Sequence, residues 1–261
     1  MPILRTSVSD LKKLLVKLGV EENGLVMVHS SLLSFGILEG GVSGLYQAFQ
    51  EIMGPGGTLV VPTFTYSFRR GEVFDIRSTP APKVLGVFSE YVRSRPEAVR
   101  SADPLFSMAA VGPLAHTLMR RESIRCFGAG SIYERLFAAD MLILALDISY
   151  DTGISAFMHL ESVAGVDYRC DLLLQGVSVG LDGVPYPDSA IHYERNVSKY
   201  PQGRRNRIPF GLQMEKDGVA RAVEFGAGRH VSLRAKTFED YTLERLKADP
   251  HAMFVEEALV S

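Results

Sequence analysis

The stretch GLVMVHSSLLSFGILEGGVSGLYQAFQEIMGPGGTLVVPTF, residues 24–64, decides the fold class of this chain. Its apolar run at residues 25–28 is typical of a buried strand, because apolar side chains occupy both faces. A glycine-containing loop follows, and residues 43–53 then show the spacing of a helix. Glycine and proline at residues 54–57 end that helix before a second apolar strand at residues 58–61. This order of strand, helix and strand predicts a βαβ unit with parallel strands.

Polar residues follow both strands of this unit. His29, Ser30 and Ser31 come after the first strand, and Thr63 comes after the second. Ligands of open α/β sheets bind outside the carboxyl ends of the strands. Hydroxyl groups and glycine-flanked amides at this edge suit the oxygens of a phosphate or of pantetheine. The residues alone also allow a simpler interpretation, in which the serines only cap and turn the chain.

Length and composition narrow the class of protein. The 261 residues are 46% hydrophobic with a formal net charge of −2, which fits one large α/β domain and gives no overall signal for nucleic acid or membrane binding. Two cysteines argue against a disulfide scaffold or a cysteine-only zinc site. Residues 1–20 lack a signal-peptide core, and no apolar run is long enough to span a bilayer. We therefore expect a soluble cytoplasmic protein without a metal, nucleic-acid or membrane partner.

The pattern of residues 28–63 resembles the signature of the aminoglycoside 3-N-acetyltransferase family, also called the antibiotic N-acetyltransferase family. The similar positions are Val28-His29-Ser30-Ser31-Leu32, Gly36, Gly40-Gly41, Gly54, Gly57-Thr58-Leu59 and Pro62-Thr63. Members of that family move an acetyl group from acetyl-coenzyme A to an amine. The resemblance covers nearly the whole chain. We therefore expect a single acetyltransferase domain at residues 1–261, with a three-layer α/β/α fold, a central mixed sheet and a strand-rich C-terminal substrate region.

The resemblance also implies which residues hold the coenzyme. The serine loop lies along the coenzyme in the family, and the stretches RSADPLFS at residues 100–107 and FGAGS at residues 127–131 are similar to further family segments. The expected coenzyme-binding residues are His29, Ser30, Ser31, Leu32, Arg100, Ser107, Phe127, Gly128 and Ser131. Considered without the resemblance, Arg100 would be a surface ion pair and Ser131 a helix cap.

Residues 151–161 resemble the catalytic segment of the family, in which a histidine precedes a glutamate by three residues on a helix. A base is needed because the attacking ammonium must lose a proton, and a carboxylate can orient the histidine. Here the spacing is His159-x-Glu161, and counting back from Tyr168 puts Met158 where the base is expected. Residues two apart on a regular helix point about 200° away from each other. We predict Glu161 and His159 as catalytic residues, with Glu161 alone, His29 or a water as the base if the helix is regular.

The acceptor is inferred from three features. Asp103 stands where the family usually has histidine, and Tyr66 begins a polar, turn-rich segment. We predict that both residues bind the substrate, and the basic stretch at residues 199–207 favours an amino sugar, with or without a linked nucleotide. The predicted function is acetyl-CoA-dependent N-acetylation of such a sugar or of an aminoglycoside. The alternatives are a serine hydrolase or thioesterase at Ser30-Ser31 and a non-catalytic CoA-binding module. The sequence leaves the oligomeric state open, a homo-oligomer included.

Overall fold

A computed structural model describes residues 4–256, so both ends of the predicted domain, residues 1–3 and 257–261, lie outside the described residues. The strands are β1 (Arg5–Thr6), β2 (Leu25–Ser30), β3 (Ile37–Leu38), β4 (Thr58–Pro62), β5 (Phe74–Asp75), β6 (Val99–Arg100), β7 (Met108–Val111), β8 (Leu142–Leu146), β9 (Arg169–Val179), β10 (Pro185–Arg195), β11 (Gly203–Arg205), β12 (Ala220–Phe225), β13 (Gly228–Arg234) and β14 (Phe254–Glu256). The helices are α1 (Val8–Lys17), α2 (Gly41–Met53), α3 (Val87–Arg93), α4 (Ala115–Leu118), α5 (Ile132–Ala138), α6 (Ala156–Ala164), α7 (Arg207–Lys216) and α8 (Ala235–Ala248).

The central sheet is mixed, as the sequence predicts. Its order is β12-β13-β8-β2-β4-β7-β6, and β8, β2 and β4 run parallel at its centre. The flanking strands β13 and β7 pair antiparallel with β8 and β4. The predicted βαβ unit is therefore present as β2, α2 and β4, and it forms the middle of the sheet.

Helices cover both faces of this sheet because successive side chains of a buried strand point to opposite faces. Val26 and Val28 of β2 pack into a core with α1, α2 and α3. Met27, between them, packs into the other core, to which helices α4 to α8 contribute. Full burial of such a side chain stabilises the fold by about 1.5–3 kcal/mol. The predicted three-layer α/β/α fold is confirmed.

Strand β2 is longer than its apolar run. It continues through His29 and Ser30, which pair with Ala145 and Leu146 of β8 and are each only 4% exposed. Polarity predicted the end of the strand at residue 28, but the backbone continues to pair with β8 at these two residues, because backbone hydrogen bonds form whatever the side chains are. The ladder therefore holds both polar side chains in fixed positions at the edge of the sheet.

The region after β8 supplies a second wall beside this edge. Strands β9 and β10, of eleven residues each, form a hairpin that joins β5 in a separate three-stranded sheet. Helix α7 follows β11, and no helix is predicted there from the sequence. Its buried face is Arg207, Phe210, Gly211 and Met214, which is the i, i+3, i+4, i+7 spacing of a helix with an arginine at the first position. No helix among residues 4–256 is long and apolar enough to cross a membrane.

Candidate active site

A cavity of about 680 Å³ opens at the carboxyl ends of the parallel strands. His29 and Ser30 from the end of β2, Pro62 from the end of β4 and Ile148 after β8 line it. Its opposite wall comes from the C-terminal region. The polar residues of that wall are Tyr168, Arg169, His192, Glu194, Arg195, Arg204, Arg205 and Arg207. This is the edge at which α/β sheets bind their ligands.

His29 and Ser30 are the two predicted coenzyme residues that line the cavity. The Oγ atom of Ser30 is buried and has no hydrogen-bond partner within residues 4–256. His29 Nε2 lies 3.5 Å from Ser155 Oγ, which in turn hydrogen-bonds to the hydroxyl of Tyr133. Burial lowers the pKa of His29 to about 4, so its ring is neutral near pH 7. The end of β2 thus places one hydroxyl without a partner among the described residues and one neutral imidazole in the lining of the cavity.

Ser31 and Leu32 do not line the cavity. The N–H of Ser31 donates to the carbonyl of Leu146 at 2.9 Å, so this amide is already used by the sheet. Leu32 packs against the core beneath α1, α2 and α3. Both residues therefore shape the end of β2, and the N–H of Ser31 is not free to bind a coenzyme oxygen.

Arg100 and Ser107 also lie outside the cavity lining, in a network of their own. Arg100 donates to the carbonyl of Thr79, to the carbonyl of Thr63 at 2.9 Å and to Ser107 Oγ at 3.3 Å. Ser107 donates to the Thr63 carbonyl at 2.6 Å, and burial lowers the pKa of Arg100 to about 9. These contacts fix the backbone after β4. Neither side chain points a free donor at a coenzyme, although both were predicted to bind one.

Ser131 caps helix α5, which is the simpler of the two interpretations of its position. Its Oγ accepts from the N–H of Glu134 at 3.4 Å and donates to the carbonyl of Gly128 at 2.7 Å. Phe127 is 1% exposed and packs against Phe106 and Tyr133. None of these predicted coenzyme residues, Phe127, Gly128 or Ser131, lines the cavity.

His159 is a core residue. It is 1% exposed, its Nδ1 accepts the N–H of Gly128 at 3.2 Å, and its ring lies against those of Tyr133 and Phe137. Burial lowers the pKa of His159 to about 4. Met158, one residue earlier on α6, lines the cavity instead. The predicted catalytic role of His159 therefore does not fit its position, because adjacent helical residues lie about 100° apart.

Glu161 is fully buried and paired with two arginines. Both of its oxygens accept from Arg207 Nη2 at 2.8 Å, and Arg169 Nε also donates to it. Burial raises the pKa of Glu161, but the charges and hydrogen bonds of Arg207 and Arg169 outweigh that effect and lower the pKa below its usual value. Because arginines already donate to both oxygens, neither oxygen is free to take a proton from a substrate. Glu161 and His159 do not form a dyad. This is what the geometry of a regular helix predicts for residues two apart.

The two predicted substrate residues have different environments. Tyr66 lines the cavity and is 40% exposed. Asp103 is 6% exposed and does not line it; its Oδ1 accepts the N–H groups of Leu105 and Phe106, each at 2.8 Å. Burial raises the pKa of the Asp103 carboxyl. Asp103 therefore closes a turn, and a direct contact with an amine does not fit its position.

Sequence reasoning missed the titratable pair on the far wall. His192 Nδ1 lies 3.8 Å from Glu194 Oε2, and Arg69 pairs with the same glutamate at 2.7 Å. Burial lowers the pKa of His192 to about 4, although the charge of Glu194 raises it. The signal was present as His192-x-Glu194, because alternate residues of a strand point to the same face. The pattern alone does not show that this face of β10 lines the cavity.

Comparisons with known proteins show the family of this chain. The family model described as aminoglycoside 3-N-acetyltransferase matches residues 27–247. Aminoglycoside N(3)-acetyltransferase IV of Salmonella sp is 34% identical over 174 residues, which cover 64% of this chain and 65% of that protein. Aminoglycoside N(3)-acetyltransferase VII of Streptomyces paromomycinus is 27% identical over 92% of this chain and 90% of its own length.

Solved structures share the fold over almost the whole chain. A variant of aminoglycoside acetyltransferase AAC(3)-IVa in complex with a gentamicin is 25% identical, with a TM-score of 0.79 over 97% of this chain and 92% of that one. AAC-IIIb in a binary complex with CoASH is 19% identical, with a TM-score of 0.80 over 94% and 97%. At that identity the second likeness shows the fold alone. Because the family match includes both the strand-end residues and the arginine-bearing wall of the cavity, this chain belongs to the aminoglycoside 3-N-acetyltransferase family.

Proposed function

We propose that this chain, as a single domain, is an acetyl-CoA-dependent N-acetyltransferase whose acceptor is an amino sugar or an aminoglycoside. Family membership supports the reaction class, and the names of the relatives support the acceptor class. The observation that carries the proposal is the cavity itself. It joins the family's strand-end residues His29 and Ser30 to the pair His192 and Glu194 on the opposite wall.

The coenzyme binds at the strand-end side of the cavity. Ser30 Oγ is available to donate to a coenzyme oxygen, since the described residues offer it no partner. Gly86 approaches the Ser30 carbonyl so closely that an added Cβ would lie 2.5 Å from it, which keeps this strand end narrow. Four residues outside the cavity lining support this site by fixing the backbone around the coenzyme, namely Arg100, Ser107, Gly128 and Ser131. Holding thioester and amine together is itself a large part of catalysis.

The proton is handled by His192. The amine nitrogen attacks the thioester carbonyl, the new C–N bond forms, and the nitrogen must then lose a proton while the C–S bond breaks. His192 is neutral near pH 7 and lines the cavity, so its ring can take this proton and pass it to the departing thiolate. Glu194, 3.8 Å away, stabilises the imidazolium that forms. Glu161 contributes as a positioning residue through Arg169 and Arg207.

Thiol release from acetyl-CoA tests this function. We expect release that depends on an added amino sugar or aminoglycoside, and a fall in kcat of about 10²–10⁴-fold for His192→Gln, since acid–base groups contribute that much. Coenzyme affinity, measured by calorimetry, should not change. His116→Gln is the matched control, because His116 is exposed on α4 and does not line this cavity. Full activity of His192→Gln together with an inactive His29→Gln would assign the proton transfer to His29.

The same assay separates the alternatives. Release in water without an amine would indicate a hydrolase, and binding of coenzyme without release would indicate a binding module. The hydrolase is disfavoured because Ser30 Oγ has no base bonded to it within the described residues.

A further inference from the structure

The C-terminal wall of the cavity is strongly cationic. Among the described residues, six arginines line the cavity, namely Arg69, Arg169, Arg195, Arg204, Arg205 and Arg207. The lining carboxylate is that of Glu194, which pairs with Arg69. Glu161 and Asp151 stand next to the wall, and Asp151 Oδ1 is engaged by the N–H of Arg207. Even with Arg204 left out of the count, the arginines that line the cavity outnumber these three carboxylates within residues 4–256.

Arg207 is the centre of this wall and is incompletely satisfied. Its side chain is 3% exposed, and Nη2 donates to both oxygens of Glu161. The Nε atom is buried without a hydrogen-bond partner within residues 4–256. A buried guanidinium donor normally has a partner, because leaving it unpaired costs free energy. Arg207 therefore adds a buried positive charge to the lining of the cavity, and Glu161 is the carboxylate that pairs with it.

Arg169 and Arg205 add to the unbalanced charge. Arg169 shares the single charge of Glu161 with Arg207, so this trio keeps one positive charge in excess. Arg205 donates to the backbone carbonyl of Asp151 at 2.7 Å, which offers no formal charge. Burial and the charges of Arg207 and Arg169 lower the pKa of Arg205. Like charges this close destabilise one another until an anion lies between them.

We propose that Arg169, Arg205 and Arg207 form a subsite for a phosphate or carboxylate group carried by the acceptor amine. Guanidinium groups bind such anions through paired, charge-assisted hydrogen bonds. The inference rests on the proposed transferase function and narrows its acceptor from amino sugars in general to anionic ones. Coenzyme A also carries phosphates, but the proposed function assigns it to the strand-end side of the cavity, with His29 and Ser30. A polycationic aminoglycoside carries no phosphate or carboxylate for these arginines to bind.

Matched acceptors test the subsite. Glucosamine is compared with glucosamine 1-phosphate and glucosamine 6-phosphate in the thiol-release assay. We expect kcat/KM to be at least about tenfold higher for one of the phosphates than for glucosamine, and Arg205→Gln to abolish that preference. The control is Arg221→Gln, because Arg221 is also exposed and also donates to one backbone carbonyl, that of Lys17, but lies outside the cavity lining. This variant should retain the full preference.

Direct binding separates this inference from the transferase function. Calorimetry with glucosamine 6-phosphate and glucosamine 1-phosphate should show weaker binding to Arg205→Gln than to wild type, whether or not any amine is acetylated. Absence of turnover with every amine would overturn the proposed function but not the subsite. Equal binding of phosphorylated and plain glucosamine, or a preference for a polycationic aminoglycoside, would overturn the subsite. So would an Arg205→Gln variant that loses affinity for coenzyme A and keeps its preference for the phosphorylated amine.

Discussion

Two buried arginines, Arg100 and Arg207, show how differently the same side chain is used on the two sides of this molecule. Arg100 donates hydrogen bonds to the carbonyls of Thr63 and Thr79 and to Ser107, and it does not line the cavity. Arg207 faces the cavity with Nε unpartnered among the described residues. The first arginine is part of the scaffold, and the second lines the cavity, where we propose that it contributes to an anion subsite. What separates them is whether the protein satisfies their donors.

Two serines repeat the contrast. Ser131 both accepts and donates a hydrogen bond as the cap of α5. Ser30, at the end of β2, does neither within the described residues. In the sequence, both serines place a hydroxyl at the end of a secondary-structure element. What distinguishes them as coenzyme-binding candidates is whether the protein already supplies hydrogen-bond partners for that hydroxyl.

The largest expected effect is that of Glu161→Gln. Removing the buried charge leaves Arg169 and Arg207 without a counter-ion, which should lower the free energy of unfolding by about 3–5 kcal/mol in urea denaturation. The control Glu51→Gln should change little, because the Lys12–Glu51 pair is exposed and screened by water. A Glu161→Gln variant of wild-type stability that has lost its activity would return Glu161 to the chemistry.

A smaller loss is expected for Arg100→Gln. The variant loses charged hydrogen bonds to two backbone carbonyls, so the free energy of unfolding should fall by about 1.5–3 kcal/mol. Affinity for coenzyme A should stay the same in calorimetry, because the side chain does not line the cavity. Arg125→Gln, which loses only an exposed pair with Asp171, is the control. Weaker coenzyme binding at unchanged stability would restore Arg100 to the coenzyme site.

The smallest effects distinguish the two serines. Ser131→Ala removes a helix cap and should lower the free energy of unfolding by about 1 kcal/mol, with unchanged coenzyme affinity. Ser30→Ala should weaken coenzyme binding by about three- to tenfold, as expected for one neutral hydrogen bond, with little effect on stability. Urea denaturation should therefore distinguish Ser131→Ala from wild type, and calorimetry with coenzyme A should distinguish Ser30→Ala from wild type. The reverse pattern would exchange the roles assigned here.

Much of the fold follows from local sequence. Apolar runs and glycine breaks predict β2, α2 and β4, and the family resemblance is confirmed by the match over residues 27–247. The sequence also contains the reason why His159 and Glu161 do not pair, since their spacing on a regular helix turns them apart. Helix α7 escaped this logic because a buried arginine interrupts its apolar face.

The tertiary structure alone decided which polar residues are free. Arg207 meets Glu161 across 46 positions of sequence, and Arg100 meets Thr63 across 37, so no local pattern reports either contact. The orientation of α6 places Met158 in the lining of the cavity and His159 in the core. The position of β10 places His192 and Glu194 in the same lining. Sequence determined the elements, because periodicity is local. Only the folded chain determined the site, because hydrogen-bond satisfaction depends on partners that are distant in sequence.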